Sequence, residues 1–489
     1  MRIRTKLGVL AGTATLAAAT ALAAAQAPQP ADNSIQLKGK APVSNTVLRV
    51  SLPKPQIAVL PNGLRVMVIE DTRAPQVNVQ IVIRGAGGYY DPDGHFGLAQ
   101  FTAANLREGT AKRTSPEIAE YLERIAATVN VTAGMSSEEA TITASSLREH
   151  FDQVMDLAAE LVLSPVFPEQ ELVRYKAQTR AQLMQQRGQP NFLAFERFSQ
   201  VVAEGHPDGR MAPAIDAVEK TTRASLEAFH RSHYVPDHAV VAITGDITMA
   251  AALKAVQSRF GGWARSGVTP PSVSNPVGLA DPGVFLVARP NSVQTSLVVG
   301  VQAISYLDPD FYAMTVLNKV IGGGPTGRLF RHLREEKGYT YGAGSQLDAR
   351  RFRGTWVAST DVRSEVTGPA LADLVDELRQ VREIRVPDQE FADAKRSLVA
   401  AFALAIESPQ SALGNALIRW RYGLPADYWD RYPERIMAVT QDQVQAMANK
   451  YLDPKRLQIV AVGDRAVAEA VLTKLGRLQI FDAEGKRIQ

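Results

Sequence analysis

The sequence predicts an α+β chain made of two related domains in tandem, and three repeated markers carry that prediction. An Asp-Pro-Asp turn follows a strand-like run at Asp91 and again at Asp308. Pro168, which opens Pro-Glu-Gln-Glu, is answered by Pro387, which opens Pro-Asp-Gln-Glu. Two runs lead from a tyrosine through an apolar strand to Gly-Asp, Tyr234 to Asp246 and Tyr451 to Asp464. The interval between partners is nearly the same for all three markers. One spacing kept three times in order indicates two copies of one unit. Gly and Pro crowd the stretch between the copies and mark a linker. The boundaries read as 56–265 for the first copy, 266–282 for the linker and 283–482 for the second copy.

Taken in order, the chain opens on an address. Arg2, Arg4 and Lys6 precede the charge-free, Ala- and Leu-rich run Leu7 to Ala25, and small residues stand at Ala23, Ala25 and Ala27. This is the pattern of a secretory signal peptide over residues 1–27. Residues 28–55, rich in Pro, Ala, Asn and Lys, read as a flexible leader. No later charge-free run is long enough to span a bilayer. The expectation is a periplasmic or secreted protein with no stable membrane span after signal cleavage.

In the first copy, Leu64 to Glu70 and Val77 to Arg84 are β-branched-rich strands. Phe96 to Leu106 has helical spacing, and Ser115 with Pro116 in the first turn starts a helix through Ile125. Thr128 to Ala133 and Glu139 to Ser145 alternate as strands, and amphipathic helices follow over Leu147 to Leu163 and Glu169 to Arg187. The second copy repeats the order: strand 295–302, helix 311–321, strands near 341–348 and 354–360, helix 366–381. Strands followed by segregated helices place helices on an antiparallel-rich sheet in each half.

Composition narrows the function. At 489 residues and 45% hydrophobic content the chain exceeds one ordinary core. Its 54 Lys and Arg against 50 Asp and Glu leave +4, with no basic run, so nucleic acid is not an expected partner. The absence of cysteine removes disulfides, thiolate metal sites, iron–sulfur clusters, cysteine nucleophiles and a lipidated N-terminal cysteine. Gly322 to Gly324 with Gly327 lacks the Lys-Ser/Thr ending of a phosphate loop and reads as a helix stop. His230 and His233, one turn apart near His238, have no matching carboxylate helix and read as solvated helix-end histidines.

The segment Gly97-Leu98-Ala99-Gln100-Phe101-Thr102-Ala103-Ala104 resembles the place where the M16 family (insulinase, pitrilysin, mitochondrial processing peptidase) carries Gly-Leu-Ala-His-Phe-x-Glu-His. The flanks Leu60 to Val68 and Glu108 to Thr110 agree. So does Leu329 to Gly342, Leu-Phe-Arg-His-Leu-Arg-Glu-Glu-Lys-Gly-Tyr-Thr-Tyr-Gly, which is similar to the signature of the family's C-terminal domain. The resemblance spans about residues 56–482 and implies two M16-type α+β domains joined by a linker.

The resemblance also shows what is missing. An inverted zinc motif needs two imidazoles one helical turn apart and a neighbouring carboxylate base. Here those positions hold Gln100, Ala104 and Ala103. The third ligand, a glutamate on a later helix, maps to Gln182, and Leu172 to Phe195 holds no Asp or Glu at all. No zinc is therefore expected in this chain. The second half keeps Arg334 and Tyr341, whose spacing resembles that of the family's substrate-binding Arg/Tyr pair. In active family assemblies that pair faces the zinc of another domain, where a phenol and a guanidinium can hold a carbonyl and a developing oxyanion. Read without the resemblance, Arg334 is a surface ion-pair residue and Tyr341 a packed strand aromatic.

Two functions follow from the resemblance. In the first, the chain is the non-zinc subunit of an exported M16 heterodimer, lending Arg334 and Tyr341 in trans to a zinc-binding homologue that hydrolyses peptides. In the second, it is a non-enzymatic scaffold or peptide-binding protein on the same fold.

Overall fold

The computed structural model describes residues 49–278 and 281–489. The expected signal peptide and the leader as far as residue 48 lie outside the described residues. The leader's last residues, from Arg49, have no regular structure, but Leu52 is buried and its N–H donates to Asp430 Oδ1 at 3.1 Å.

Two six-stranded mixed sheets form the frame. The first holds β1 (Gln56–Val59), β2 (Arg65–Glu70), β3 (Gln76–Arg84), β4 (Thr128–Ala133), β5 (Glu139–Leu147) and β6 (Ala239–Gly245), in the order β1-β2-β6-β3-β5-β4. The second holds β7 (Gly283–Ala288), β8 (Gln294–Gln302), β9 (Thr340–Asp348), β10 (Thr355–Arg363), β11 (Gln458–Gly463) and β12 (Leu478–Phe481), in the order β12-β7-β11-β8-β10-β9. Five strands of each sheet correspond one to one, with β2–β6 and β7–β11 the parallel pairs. Only the outermost strand differs, antiparallel β1 in one half and parallel β12 in the other. Asp91 and Asp308 stand in the equivalent turns after β3 and β8. The α+β, two-copy reading is therefore what the chain adopts.

The central strands are buried on both faces, and alternation decides which side chain goes where. In β2, Val66 and Val68 enter the core under the first half's own helices, including Leu98–Asn105, Phe151–Leu163 and Met249–Phe260. Met67 and Ile69 point the other way, with Val82, Val240 and Ala242. What covers that second face comes from the other half: Ala412, Leu413 and Leu417 of the helix Pro409–Tyr422. The second sheet is covered reciprocally. Leu193, Phe198 and Val202 of the helix Pro190–Val202 pack on Phe285, Val298 and Val460. The exchanged helices begin at Pro190 and Pro409, separated by the same interval as Pro168 and Pro387, so this is the same repeat seen once more. Each buried Leu, Val or Phe is worth about 1.5–3 kcal/mol, so the exchange binds the halves into one unit. Buried Glu139 adds an ion pair across the halves, accepting from Arg421 Nε at 2.9 Å.

Aromatic side chains of the second half pack on one another: Tyr422 stacks on Tyr306 at 5.1 Å, and Phe402 lies 4.6 Å from Tyr432. The histidines correct the sequence reading. His230 and His233 are packed rather than solvated: His230 donates to the Val162 carbonyl at 2.8 Å, and His233 stacks on Phe229 at 4.1 Å. Burial lowers the pKa of both. No helix among the described residues is long and apolar enough to cross a membrane.

Candidate functional site

The zinc-motif positions do share one helix, Leu98–Asn105. Asp91 caps it: Oδ2 accepts from Gly97 N at 2.6 Å and Oδ1 from Ala99 N at 2.7 Å. Burial pushes this carboxyl up to about 6, against the pull of those two N–H groups and of Arg210. Gly97, at φ 108, supplies the left-handed entry that favours glycine.

On the helix, Ala103 is fully buried in the core and Gln100 and Ala104 are half-buried. The side chain of helix Glu169–Arg187 that meets Gln100 is Tyr175, whose half-buried phenol sits against Gln100 and Thr179, its ring 4.9 Å edge-on to Phe101. Gln182 lies two turns further along the same helix face and is exposed. An amide, two methyl groups and a phenol do not fit a zinc ion, which takes imidazole, thiolate or carboxylate ligands. Among the described residues no three His, Cys, Asp or Glu side chains are grouped to hold a metal.

In the second half the structure builds outward instead. The helix Phe311–Ile321 ends at Gly322, whose carbonyl accepts from Ser345 N at 3.0 Å. A Cβ on Gly322 would meet Ser345 N at 2.3 Å, so glycine is what lets the helix end touch β9. The chain then turns through Arg328–Phe330 into a π-helix, Arg331–Glu336. Two clamps pin this segment. Arg328 donates to both Glu390 oxygens at 2.8 and 2.7 Å, and His332 Nδ1 donates to Glu377 Oε1 at 2.7 Å. Gly338, at φ 63, ends the helix by donating to the Arg334 carbonyl at 3.2 Å, and Tyr339 N reaches back to the Leu333 carbonyl at 3.0 Å.

β9 then begins, as the free edge of its sheet. Its register against β10 slips by one residue: Ala343 faces Thr360 but Thr340 faces Val362, so Tyr341 and Gly342 together oppose Asp361. Threonine hydroxyls hold this bulge, Thr360 and Thr340 donating to the Gly342 carbonyl at 3.0 and 2.9 Å. Bulges re-aim side chains beside functional sites. Tyr341 is 92% exposed, which corrects its reading as a packed strand aromatic. Arg334 is also exposed. Its guanidinium stacks 4.6 Å over Phe330, and among the described residues it forms no ion pair. The π-helix packs against β9, so the two polar heads rise from adjacent elements.

The π-turn, the bulge and the exchanged helices escape sequence reading. The interval from Pro190 to Pro409, equal to that from Pro168 to Pro387, was the one signal that could have found the exchange.

Comparison with known proteins agrees with this frame. The insulinase (peptidase family M16) profile matches residues 65–210, and the peptidase M16 inactive-domain profile matches residues 220–398. A probable mitochondrial-processing peptidase subunit beta of Arabidopsis thaliana is 25% identical over 439 residues, covering 85% of this chain and 79% of that protein. An uncharacterised zinc protease of Mycobacterium bovis is 25% identical over 406 residues, covering 81% and 91%. The crystal structure of a peptidase M16 inactive domain from Pseudomonas fluorescens superposes with a TM-score of 0.77 at 27% identity, covering 84% of this chain and 98% of that one. A protease from Helicobacter pylori, at 17% identity, shares the fold with a TM-score of 0.78 over 84% of this chain and 100% of that one.

Proposed function

Because this chain belongs to the M16 peptidase family, we propose that it is the non-zinc subunit of an exported M16 heterodimer, periplasmic or secreted. A zinc-binding homologue supplies the metal site, and Arg334 and Tyr341 act on the peptide substrate from this side. The observation that carries the reading is their presentation. Each stands at a one-residue irregularity, a π-turn and a β-bulge, and each is exposed while the old metal site is packed with Ala103 and Tyr175. π-turns and bulges concentrate at functional sites.

The chemistry asked of the pair is modest. As a peptide bond is attacked, negative charge builds on its carbonyl oxygen. The Tyr341 hydroxyl donates to that oxygen, and the Arg334 guanidinium holds the peptide and adds positive charge. Neither group has to gain or lose a proton.

The test is to purify the chain alone and together with a zinc-competent M16 homologue exported by the same cell, then measure bound metal and peptide hydrolysis. The expected outcome is no stoichiometric zinc and no hydrolysis alone, and hydrolysis by the pair. One tight zinc per chain, or hydrolysis by the chain alone, would overturn the reading. An intact pair whose activity ignores Tyr341→Phe would favour the scaffold.

A further inference from the structure

Where the two halves meet, a cavity of about 330 Å³ opens beside the ends of the edge strands β4 and β9. Met135 and Ser136, just after β4, line it from one side, and Gln346 and Asp348 of β9 line it from the other. Its size is at the lower end of small-molecule sites, about 300–1,000 Å³, enough for one or two residues of an extended chain. One wall is apolar, built by Phe195, Phe198 and Val202 of the exchanged helix with Val357 of β10.

The charges lining it are unequal in availability. Asp208 and Asp348 are both taken by Arg350, at 2.9 and 2.7 Å. Arg210 and Arg353 have no carboxylate within ion-pair distance among the described residues. Arg210 is held over the Phe96 ring at 3.7 Å and donates to the Gly88 carbonyl at 3.1 Å, while Asp91 and Asp93 attract it only from beyond ion-pair reach. Burial disfavours its charge. Arg353 is exposed at the mouth, its backbone N–H fixed by Asn275 of the linker at 3.1 Å. Two guanidiniums without a carboxylate partner beside an aromatic wall suit one ligand class.

We propose that this cavity binds a carboxylate carried on a large apolar group, the apolar part against Phe195 and Phe198 and the carboxylate between Arg210 and Arg353. A peptide ending in an aromatic residue with a free α-carboxylate has this chemistry, and so has a free arylalkanoic acid. The site is separate from Arg334 and Tyr341 and needs no partner subunit, so it stands or falls independently of the peptidase reading.

Calorimetry on the full mature chain tests it with four probes: the tripeptide Ala-Ala-Phe as free acid, its C-terminal amide, 3-phenylpropionate and inorganic phosphate. The free acid should bind, the amide at least tenfold more weakly, and phosphate not measurably. Binding of the tripeptide acid well above phenylpropionate identifies a peptide end as the source, and the reverse identifies a free acid. Arg353→Gln, at an exposed position, should weaken the acid at least tenfold, and Arg210→Gln likewise. Acid and amide binding alike, phosphate competing with the acid, no binding at millimolar acid, or an unchanged affinity in Arg353→Gln would each overturn the proposal.

Discussion

The same helix–turn–edge-strand unit occurs once in each half, and the two copies differ by single residues. In the first half, helix Ser115–Arg124 leads through Ala126 into β4. Ala126 N donates to the Glu123 carbonyl and Ala127 N to the Leu122 carbonyl, a Schellman cap. In the second half the corresponding bonds run from Gly338 to Arg334 and from Tyr339 to Leu333, each one residue wider. β4 pairs with β5 in unbroken register, whereas β9 carries one extra residue against β10. The widened cap lies at Arg334 and the extra strand residue at Tyr341. The scaffold is kept constant while one half spends two irregularities on presenting a polar pair, and the other packs Ala103 into its core where the resemblance places a zinc motif.

The comparison breaks first if the halves do not depend on each other equally. Phe198→Ala empties a buried site on the second sheet and should cost about 3–5 kcal/mol; Leu413→Ala does the same on the first sheet and should cost about 2–5 kcal/mol. Urea unfolding should lower both midpoints in a single transition. If Leu413→Ala left stability unchanged, the exchange of helices would be one-sided.

Next comes the polar pair itself. In the reconstituted heterodimer, Tyr341→Phe should lower kcat about 10²–10³-fold with assembly intact, since it removes one preorganised donor. Arg334→Ala removes a charge and its stacking on Phe330, so KM should rise as well. Gln100→Ala, at the position the resemblance assigns to a zinc ligand, should leave both constants unchanged. Steady-state kinetics with light scattering as the assembly check decides. A loss in Gln100→Ala as large as that in Tyr341→Phe would remove the contrast between the halves.

A smaller effect separates the first half's turn by its pH response. Asp91 has a folded pKa of about 6, raised by burial, against about 3.9 in an unfolded chain. The folded state therefore holds the extra proton between those values, and Asp91's contribution to stability falls as pH rises from about 4 to 6, by up to about 3 kcal/mol. Asp91→Asn should flatten the stability profile across that window. An unaltered slope would show that the two N–H bonds from Gly97 and Ala99 compensate the burial fully.

Much of this was legible from residues. Strand alternation, the Asp-Pro-Asp turns and the Gly-Asp strand ends are local patterns, and the second copy confirmed the first. That Gln100, Ala103 and Ala104 stand where the resemblance places a zinc motif can be read directly, because they are single positions on one helix. The partner of Gln100 cannot. Counting along the helix points to Gln182, while Tyr175 is the residue that reaches Gln100, because helix crossing decides which turn meets which. The exchanged helices read as ordinary amphipathic segments, since an apolar face does not say which sheet will cover it. The π-turn and the bulge leave no periodic trace at all: each is one residue out of register.

The smallest test bears directly on that cap. Ala126 and Gly338 occupy the same left-handed position, two residues before an edge strand, at φ 47 and φ 63. A left-handed residue with a Cβ costs about 1–2 kcal/mol, and glycine's greater freedom when unfolded returns about 0.5–1 kcal/mol of that. Ala126 is exposed, so replacing it sacrifices no packing. A Cβ on Gly338 would meet nothing within 4 Å, so Gly338→Ala adds backbone strain alone. Ala126→Gly should therefore stabilise by about 0.5–1 kcal/mol and Gly338→Ala destabilise by about the same. Equal and opposite shifts in thermal unfolding would show that the caps are one structure built with two residues. If Gly338→Ala cost far more than Ala126→Gly gained, the widened cap would be strained beyond its first-half counterpart. The extra residue beside Arg334 would then be held in place by the clamps of Arg328 and His332, not by the turn.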